Sequence, residues 1–511
     1  MAKHTLSIAF KAYSQHQTML LPPSLEELIA PGHPVRVVSQ VLDKIDIDPL
    51  LKKYKGGGTS SFHPRMLLKV LVFSYINNTY SSRKIEAALK ENINYMWLSG
   101  MSTPDHNTIN RFRSDRLKEV LRQVFTQVVL LLAEEGSINI KELYTDGTKI
   151  EANANRYTFV WGKSIKNNRE KIKNQLDELW QYAQNIAAAE LPDTDPTDFD
   201  TIDAEKLEQT IQKIDEALKD KPVNEKVKKK LSYAKNNWPS TLKKYEQQEK
   251  ILNGRNSYSK TDTDATFMRM KEDQINGQLK AGYNFQISTN NQYIVNYSLH
   301  QTAGDTSTFQ QHTELYKLQY QRTPQTITAD AGYGSEQNYQ YLRDNNIENY
   351  VKYSYFDKDQ SNKVDQKNPF KVDTLYYNSE KDYFICPMGQ QMRNIGKAEI
   401  KTKTGFIQNI TRYQAINCDG CPLRGACHKA EGNRMIEVNH ALNKYKQQVR
   451  ENLNSEKGIY HRKKRPWDVE PVFGNIKNNH KFKRFMLRGM PKTEIEVGLL
   501  AMAHNLRKKA S

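Results

Sequence analysis

The sequence predicts an α/β protein: an all-helical N-terminal region, followed by an α/β core broken by two insertions. Three observations carry that reading. Apolar residues recur at helical spacing up to Gly136. The pattern changes to that of strands from Glu142. Thr326-Ile-Thr-Ala-Asp330 reads as a strand ending in Asp, followed by a glycine turn and a helix.

The helical region spans residues 1 to about 135. His63-Pro64-Arg65 opens an apolar helix through Met66, Leu67, Val70, Leu71 and Phe73. Ser82 can cap a short helix carrying Ile85, Ala88 and Leu89, and Pro104-Asp105 starts a polar helix from His106 to Arg113. These two helices and the connection from Asn92 to Thr103 form a candidate helix-turn-helix, although the connection is longer than the usual tight turn. A plain helical bundle is the other reading. Leu117, Leu121, Val124, Val128 and Leu131 then mark the core stripe of a long helix, with Gly136 at its C-terminal cap.

The segment Leu143-Tyr-Thr-Asp146-Gly-Thr-Lys-Ile-Glu-Ala reads as a strand, a turn and a second strand. Residues 163–250 form the first insertion, rich in Lys, Glu, Gln and Asn. One helical stripe runs through Ile172, Leu176, Leu179, Ala183 and Ile186, another through Leu207, Ile211, Ile214 and Leu218, with an acidic linker holding Pro192 and Pro196 between them. This is the pattern of a helical hairpin with solvated charged faces. Strand signals resume at Tyr283–Ile287 and Tyr293–Tyr297, joined by an Asn-rich turn. Helices are expected near Thr308–Leu318 and Ser335–Arg343, and a strand at Val351. Residues 354–455 form a second, strand-rich insertion holding all four cysteines. The core is then 136–162, 251–353 and 456–511.

The 511 residues carry a formal net charge of +18, with a pI near 9.3 and 37% hydrophobic residues. That length suits two to four domains with ample material for cores. Residues 456–511 hold 14 Lys/Arg and 5 Asp/Glu, a net +9 and half of the excess. Clustered positive charge attracts polyphosphates, so double-stranded DNA or another nucleic acid is the leading partner. An anionic membrane is the rival, but the longest strongly apolar run, Val128–Ala133, is too short to span a bilayer. No signal-peptide apolar stretch precedes Pro22, so a soluble, cytoplasmic protein is expected.

The segment from Tyr460 to Lys477 sets one carboxylate, Glu470, among Tyr460, Arg462, Lys463, Lys464, Arg465 and Lys477. Asp468 can cap a helix there, with Glu470 and Pro471 in its first turn and Phe473, Gly474 and Lys477 on the face of Glu470. Such a segment suits a place where a metal ion and a phosphate backbone meet; an exposed basic helix is the plainer reading. Asp146 and Asp330 sit at or near strand ends, where α/β sheets gather their active sites. Three converging carboxylates repel one another unless divalent cations such as Mg²⁺ or Mn²⁺ bind between them. Two such ions can activate a water or a 3′-hydroxyl and steady the leaving oxygen of an in-line displacement. Taken singly, Asp146-Gly147 also reads as a hairpin turn and Asp330 as a helix cap.

Cys386, Cys418-Asp-Gly-Cys421 and Cys427 suit a tetrahedral Zn²⁺ site. An iron–sulfur cluster or four unconnected thiols are the alternatives, and the spacing from Cys421 to Cys427 is not that of a standard ribbon.

Three blocks resemble the signature blocks of bacterial insertion-sequence transposases of the DDE type, most closely the family numbered 1182. They are Tyr-Thr-Asp146-Gly-Thr-Lys-Ile-Glu-Ala-Asn-Ala-Asn, Thr-Ala-Asp330-Ala-Gly-Tyr-Gly-Ser and Val-Glu470-Pro-Val-Phe-Gly-Asn-Ile-Lys477. The N-terminal blocks from Phe62-His-Pro to Pro104-Asp-His-Asn-Thr-Ile-Asn-Arg-Phe-Arg113 resemble the same family. The last block resembles its Tyr, Arg, Glu, Lys signature. Six residues separate Glu470 from Lys477 as expected, but four rather than three separate Arg465 from Glu470, so either Arg462 or Arg465 fills the arginine role.

The resemblance implies a ribonuclease H-like core, binding of the element's terminal inverted repeats, and cut-and-join chemistry with two Mg²⁺ ions. Asp146, Asp330 and Glu470 would hold the metals. Lys477 would grip a phosphate near the cut, and Tyr460 with Arg462 or Arg465 would position the transferred strand. Lys481, Arg484 and Arg488 would extend the positive field, with Lys481 continuing the helical stripe of Lys477. Asn107, Asn110 and Arg111 would govern which ends are bound by an N-terminal DNA-binding domain. A homodimer on DNA and association with the nucleoid are expected. Asp262, Asp264 and Asp305 rank below the other acids, Asp305 reading most simply as a helix cap. A nuclease without strand transfer, or a non-catalytic DNA-binding protein derived from a transposase, are the alternatives.

Overall fold

Imidazoles ahead of prolines start two helices of the N-terminal region. His33 and His63 each turn Nδ1 onto the backbone N–H two residues on, and the Pro that follows each has no N–H to leave unpaired. These begin α1 (Pro34–Lys44) and α3 (Pro64–Ile76), with α2 (Asp48–Leu51) between. The computed structural model of the chain describes residues 24–54, 61–187, 191, 203–273, 275–360 and 368–511. Pro192 and Pro196 of the acidic linker, and the stretch before Pro22, lie outside them.

Next come α4 (Ser82–Glu91), α5 (Ile93–Ser99) and α6 (His106–Arg111). The connection expected between two helices thus contains a third, closed by Gly100 in the left-handed region at φ +56°. Asp105 caps α6 through the Thr108 N–H at 2.8 Å, at the helix start the sequence places there. A π-helical turn, Phe112–Arg116, separates α6 from α7 (Leu121–Glu134). The long helix therefore begins at Leu121 rather than Leu117, and Gly136 at φ +76° follows its end.

The central sheet starts with β1 (Glu142–Glu151), one unbroken strand where a strand, turn and strand were expected. Gly147 does not turn the chain: a β-carbon there would overlap the Gln286 carboxamide on the neighbouring strand. The glycine answers a tertiary contact, not a hairpin. After β2 (Phe159–Trp161) the first insertion leaves as α8 (Gly162–Ile186), α9 (Ala204–Ala217) and α10 (Glu225–Leu252). It is three helices rather than a hairpin. The apolar stripe of α10, Leu231, Ala234, Trp238 and Leu242, flanks an internal Pro239 and closes a small core with Leu176, Trp180, Leu207 and Ile211.

Strands β3 (Ser257–Ser259), β4 (Thr266–Arg269), β5 (Leu279–Asn290) and β6 (Tyr293–His300) follow, then α11 (Phe309–Tyr320), β7 (Thr326–Ala329), α12 (Glu336–Asp344) and β8 (Glu348–Val351). The six-stranded sheet runs β4-β5-β1-β7-β8, with β6 also paired to β5. β5 and β6 are antiparallel hairpin neighbours, β5 is antiparallel to β1, and β7 and β8 run parallel to β1. Asn291 and Gln292 both take positive φ in the β5–β6 turn, as a two-residue hairpin with right-handed strand twist requires.

The second insertion holds α13 (Phe356–Gln360), β9 (Tyr376–Asn378), β10 (Tyr383–Ile385), β11 (Gln391–Lys401), β12 (Ile407–Ala415), α14 (Arg424–Cys427) and β13 (Met435–Val438). Its strands form an antiparallel sheet of their own in the order β13-β12-β11-β10-β9. The chain returns through α15 (His440–Asn454), α16 (Glu456–Gly474) and α17 (Met490–Lys509).

α17 packs against α1, α3, α7 and β6, and is buried over most of its length. One hydrophobic core accordingly runs from Ile29 through the sheet to Leu506. Glu496 is buried on α17, and its carboxylate accepts the backbone N–H groups of Met486 and Leu487 and the Tyr75 hydroxyl. The acid therefore ties the C-terminal helix to α3. Among the described residues, no helix is long and apolar enough to cross a membrane.

Candidate active site

Adjacent parallel strands bring two acids side by side. In the β1–β7 register Thr145 faces Ala329, so Asp146 and Asp330, the next residue of each chain, stand at the same level. Neighbouring strands lie about 4.8 Å apart. Asp146 is inside β1, not at its end; Asp330 follows the end of β7. Asp330 caps a short 3₁₀ turn, Ala331–Tyr333, its Oδ1 accepting the Gly332 N–H at 2.8 Å. The cap and an active-site role are compatible, because Oδ2 takes no part in it.

Alternation along β1 decides what each side chain meets. Tyr144 and Asp146 face α16, where they meet His461 at 2.9 Å and Arg465 at 3.3 Å. Thr145 points to the other face, to Ser288 and through it to the buried His312 of α11. Asp146 is largely buried, and burial pushes its carboxyl up to about 6. Arg465 pulls it down, Asp330 pushes it up again, and the Gly147 N–H and Lys271 pull it down. The ion pair with Arg465 thus offsets only part of the cost of burying the acid beside a second carboxylate. That surplus negative charge is what a divalent cation relieves, so this donor set fits a hard metal ion.

Glu470 stands differently. α16 starts at Glu456, capped by Ser455, and runs through Pro466 and Pro471. Glu470 is therefore deep in the helix, not in its first turn. Asp468 is not a cap; it is fully buried, and its two oxygens accept the N–H groups of Asn291 and Gln292 in the β5–β6 turn at 2.8 and 3.1 Å. Pro471 has no N–H to give the Trp467 carbonyl, and the Gln292 side chain donates to that carbonyl instead at 2.9 Å. A hairpin far away in sequence thus lets the helix continue. Glu470 is exposed, and five residues from Arg465 it leaves the helix about 140° away. No hydrogen bond or ion pair joins it to Asp146 or Asp330. Among the described residues, no three His, Cys, Asp or Glu side chains form a ready-made metal cage.

The basic residues divide in two. Tyr460 is 52% exposed, with the Lys464 ammonium 5.5 Å over its ring. Arg462 lies over Phe356 rather than at the carboxylates, so of the two arginines it is Arg465 that reaches Asp146. Lys477 pairs with Glu272 at 3.1 Å, next to Lys271, and burial pushes its ammonium down while Glu272 pulls it back. Lys481 does not continue its stripe: a π-helical turn, Asn475–Asn479, ends the helix, and Lys481 sits at φ +53°. Arg484 donates to the carbonyls of Ala152 and Ala154, and Arg488 to that of Asn153. These two arginines hold the chain beyond β1. Asn107, Asn110 and Arg111 share an exposed face of α6.

One neighbour of the site lacks an obvious signal in the sequence, and another, Asp305, ranked low there. Lys271 belongs to a short 3₁₀ turn after β4. Asp305 does not cap α11 with its side chain. Its carboxylate accepts the amides of Asn284 and Gln286 at 2.8 and 2.9 Å, beside Asp330. The one available signal was the polar series Asn284, Gln286, Ser288 and Asn290 at alternate positions of an otherwise apolar strand. Asp262 and Asp264 serve elsewhere: Asp262 accepts the Tyr283 hydroxyl, and Asp264 the Met490 N–H that opens α17.

All four cysteines are free thiols, and Cys386, Cys418, Cys421 and Cys427 line a single small cavity. The Arg434 guanidinium and backbone N–H point at the sulfurs of Cys427 and Cys418, at 3.0 and 3.3 Å.

Two segments match models of known families. Residues 385–510 match the Transposase DDE domain, and residues 23–115 match the Transposase domain (DUF772). Both are transposase domains. Together they support a transposase of the DDE type. The first segment contains the cysteines, Arg465, Glu470 and Lys477; the second contains α1 to α6. Asp146, Asp305 and Asp330 lie in neither. No curated protein and no solved structure matches the chain.

Proposed function

We propose that this chain is an insertion-sequence transposase of the family numbered 1182, binding the terminal inverted repeats of its own element and cutting and joining DNA. The observation that carries the reading is the level pairing of Asp146 and Asp330 on parallel strands, tied by Arg465 to the helix that bears Glu470, with Lys477 in the π-helical turn that follows it. The strand order, with an antiparallel hairpin on one side of β1 and two parallel strands on the other, supports a ribonuclease H-like core. The basic C-terminal segment supports DNA as partner.

In this reading Asp146 and Asp330 would hold two divalent cations, Mg²⁺ or Mn²⁺, and Glu470 would complete the set by moving from its exposed place on the helix. Bound there, the ions would supply Lewis acidity at the attacking and leaving oxygens. The chain's own groups do the rest. Arg465 keeps Asp146 in place across the helix–sheet interface and exchanges that contact for a DNA phosphate. Lys477 exchanges Glu272 for a backbone phosphate near the cut, while Tyr460 and Lys464 lie against the strand. Asn107, Asn110 and Arg111 present amides and a guanidinium suited to base edges. A homodimer on paired ends completes the proposal. We also propose structural Zn²⁺ at the four cysteines, which line one small cavity.

The test uses DNA from either side of the gene, with and without Mg²⁺. The parent protein should bind inverted repeats found there, nick them and join the freed 3′ end to a second duplex. Asp330→Asn should bind the ends as the parent does and cleave at least about 1000-fold more slowly. Cleavage without joining would make the protein a nuclease; binding without either would make it a DNA-binding protein only.

A further inference from the structure

Charge is segregated within the first insertion. Residues 163–224 hold 14 Asp/Glu and 9 Lys/Arg, a net −5, whereas residues 226–245 of α10 hold seven Lys and no acid. A helix face that is merely solvated alternates the two signs. The packing of α10 fixes where this charge points. Leu231, Ala234, Trp238 and Leu242 are buried in the insertion's own core with α8 and α9. Lys226, Lys229, Tyr233, Asn236, Ser240 and Lys243 recur at alternating steps of three and four on the opposite face, and all are exposed. Lys228, Ser232 and Asn237 join Lys229, Tyr233 and Asn236 around a shallow depression there. Among the described residues, Lys226, Lys229, Lys243 and Lys244 form no ion pair, while Lys230 and Lys235, on the flanks, reach Glu178 at 2.6 Å and Asp215 at 2.7 Å. The insertion's acids thus neutralise the flanks of the helix and leave its crest bare.

The crest is charged at both ends and neutral in the middle. Lys226 and Lys243 stand about 26 Å apart along the axis, with Asn236 and Ser240 between them. The major groove of B-form DNA admits an α-helix and carries phosphates on both rims. The deep, narrow groove of A-form RNA does not. A membrane-binding amphipathic helix inserts its apolar face, and that face of α10 is already spent on the insertion's core. Duplex DNA is therefore the polyanion that fits. α10 rejoins the core at Leu252, which packs with Val160, Ile165 and Tyr258. Lys229 lies about 34 Å along the helix from that root, the length of about one turn of duplex.

We propose that the outer face of α10 is a docking surface for duplex DNA. The helix lies along the major groove, with Lys226, Lys229, Lys243 and Lys244 on the phosphates of its rims and Tyr233, Asn236 and Ser240 turned into it. The first insertion thereby holds a stretch of duplex that the cut does not touch. The inference rests on the proposed function only in taking the element's own DNA as the duplex held. Phosphate contacts add affinity without reading sequence, so the face should grip DNA of any sequence.

Binding of the full chain to a duplex of arbitrary sequence, about six turns long, tests this apart from cleavage. The combined variant Lys226→Ala, Lys229→Ala, Lys243→Ala and Lys244→Ala should bind at least about 30-fold more weakly at about 0.1 M salt, and its slope of log affinity against log salt should be shallower by about 3 to 4. The same four lysines changed to Arg should bind as the parent does. A single change, Asn236→Glu, sets an acid in the middle of the face and should weaken binding at least about tenfold. Thermal melts check that each variant folds. On a duplex carrying an element end, the parent's hydroxyl-radical footprint should extend about one turn beyond that of the four-Ala variant. Parental affinity and salt slope in the four-Ala variant would overturn the surface and leave the proposed function standing. Phosphatidylglycerol vesicles that bind the parent and not this variant, with DNA binding unchanged, would overturn it in favour of a membrane. Weakened DNA binding by the variant, beside a parent that cleaves no element end, would support the surface and overturn the proposed function instead.

Discussion

The Arg465 guanidinium lies 3.3 Å from Asp146 Oδ2, both side chains mostly buried, and so bolts helix α16 onto the central strand beside Asp330. The pair is incomplete compensation. Burial still leaves the Asp146 carboxyl near 6, well above an ordinary aspartate. Arg465 therefore acts both as a strut and as the charge that keeps Asp146 ionisable at neutral pH.

A pH dependence follows from that value. The fold favours the neutral carboxyl, so ionising Asp146 costs stability. The cost is absent below the unfolded value near 4, grows as pH rises, and is full above about 6, where it reaches about 3 kcal/mol. A divalent ion must displace the proton below pH 6. Mn²⁺ affinity measured by calorimetry should hold from pH 7.5 to 6.5 and then fall, approaching tenfold per pH unit below 6. Arg465 lowers the carboxyl, so Arg465→Met should move the fall to higher pH; an unmoved profile would disprove the coupling.

Lys477 and the α6 face should separate by function. Lys477→Ala should slow single-turnover cleavage of element ends about 100-fold while end affinity changes less than about threefold, because a phosphate contact positions without reading sequence. Asn107→Ala, Asn110→Ala and Arg111→Ala should instead erode the preference for element ends over unrelated DNA, each by about 1–3 kcal/mol if it reads a base. Parental cleavage by Lys477→Ala, or unchanged end preference in all three α6 variants, would contradict this division.

Asp468 should prove structural. Asp468→Ala strands the Asn291 and Gln292 N–H groups in a buried turn and should cost about 2–4 kcal/mol, read as a lower Tm in thermal melts. Asp468→Asn, which keeps acceptor capacity for one of the two, should cost less. Equal Tm values for Asp468→Ala and the parent would show that the turn does not depend on it.

The cysteine cavity makes a metal prediction. Purified protein should carry about one zinc per chain by elemental analysis, and Cys421→Ser should lose it and unfold the β9–β13 sheet at lower temperature. A chain free of zinc and iron, with four thiols that alkylate readily without denaturant, would reduce the cysteines to ordinary side chains.

Local signals were sufficient for much of the architecture. The apolar stripes of α3 and α7, the Asp105 cap, Gly136 after α7, the β5–β6 hairpin and Ser335 at the head of α12 follow from residues within a few positions of one another. Helix caps, turns and periodic stripes depend on near neighbours, so a sequence displays them. Charge displays itself in the same way, and the basic C-terminal segment pointed to DNA.

The misread elements share another cause: each depends on a partner remote in the chain. Asp146-Gly147 looks like a turn until Gln286 lies across the glycine, and then it is mid-strand. Asp468 and Pro471 look like a helix start until Gln292 takes the carbonyl that Pro471 cannot serve, and then Asp468 and Glu470 belong to a helix already under way. Asp305 looks like a cap until Asn284 and Gln286 claim its carboxylate.

The sequence by itself determined the helical N-terminal region, the positions of the strands and helices that flank Asp330, and the sign of the surface charge. Only the tertiary structure decided that Asp146 and Asp330 stand level and that Arg465 and not Arg462 meets Asp146. Strand register and helix–sheet docking are settled by side chains more than a hundred residues apart, and no local pattern carries that information.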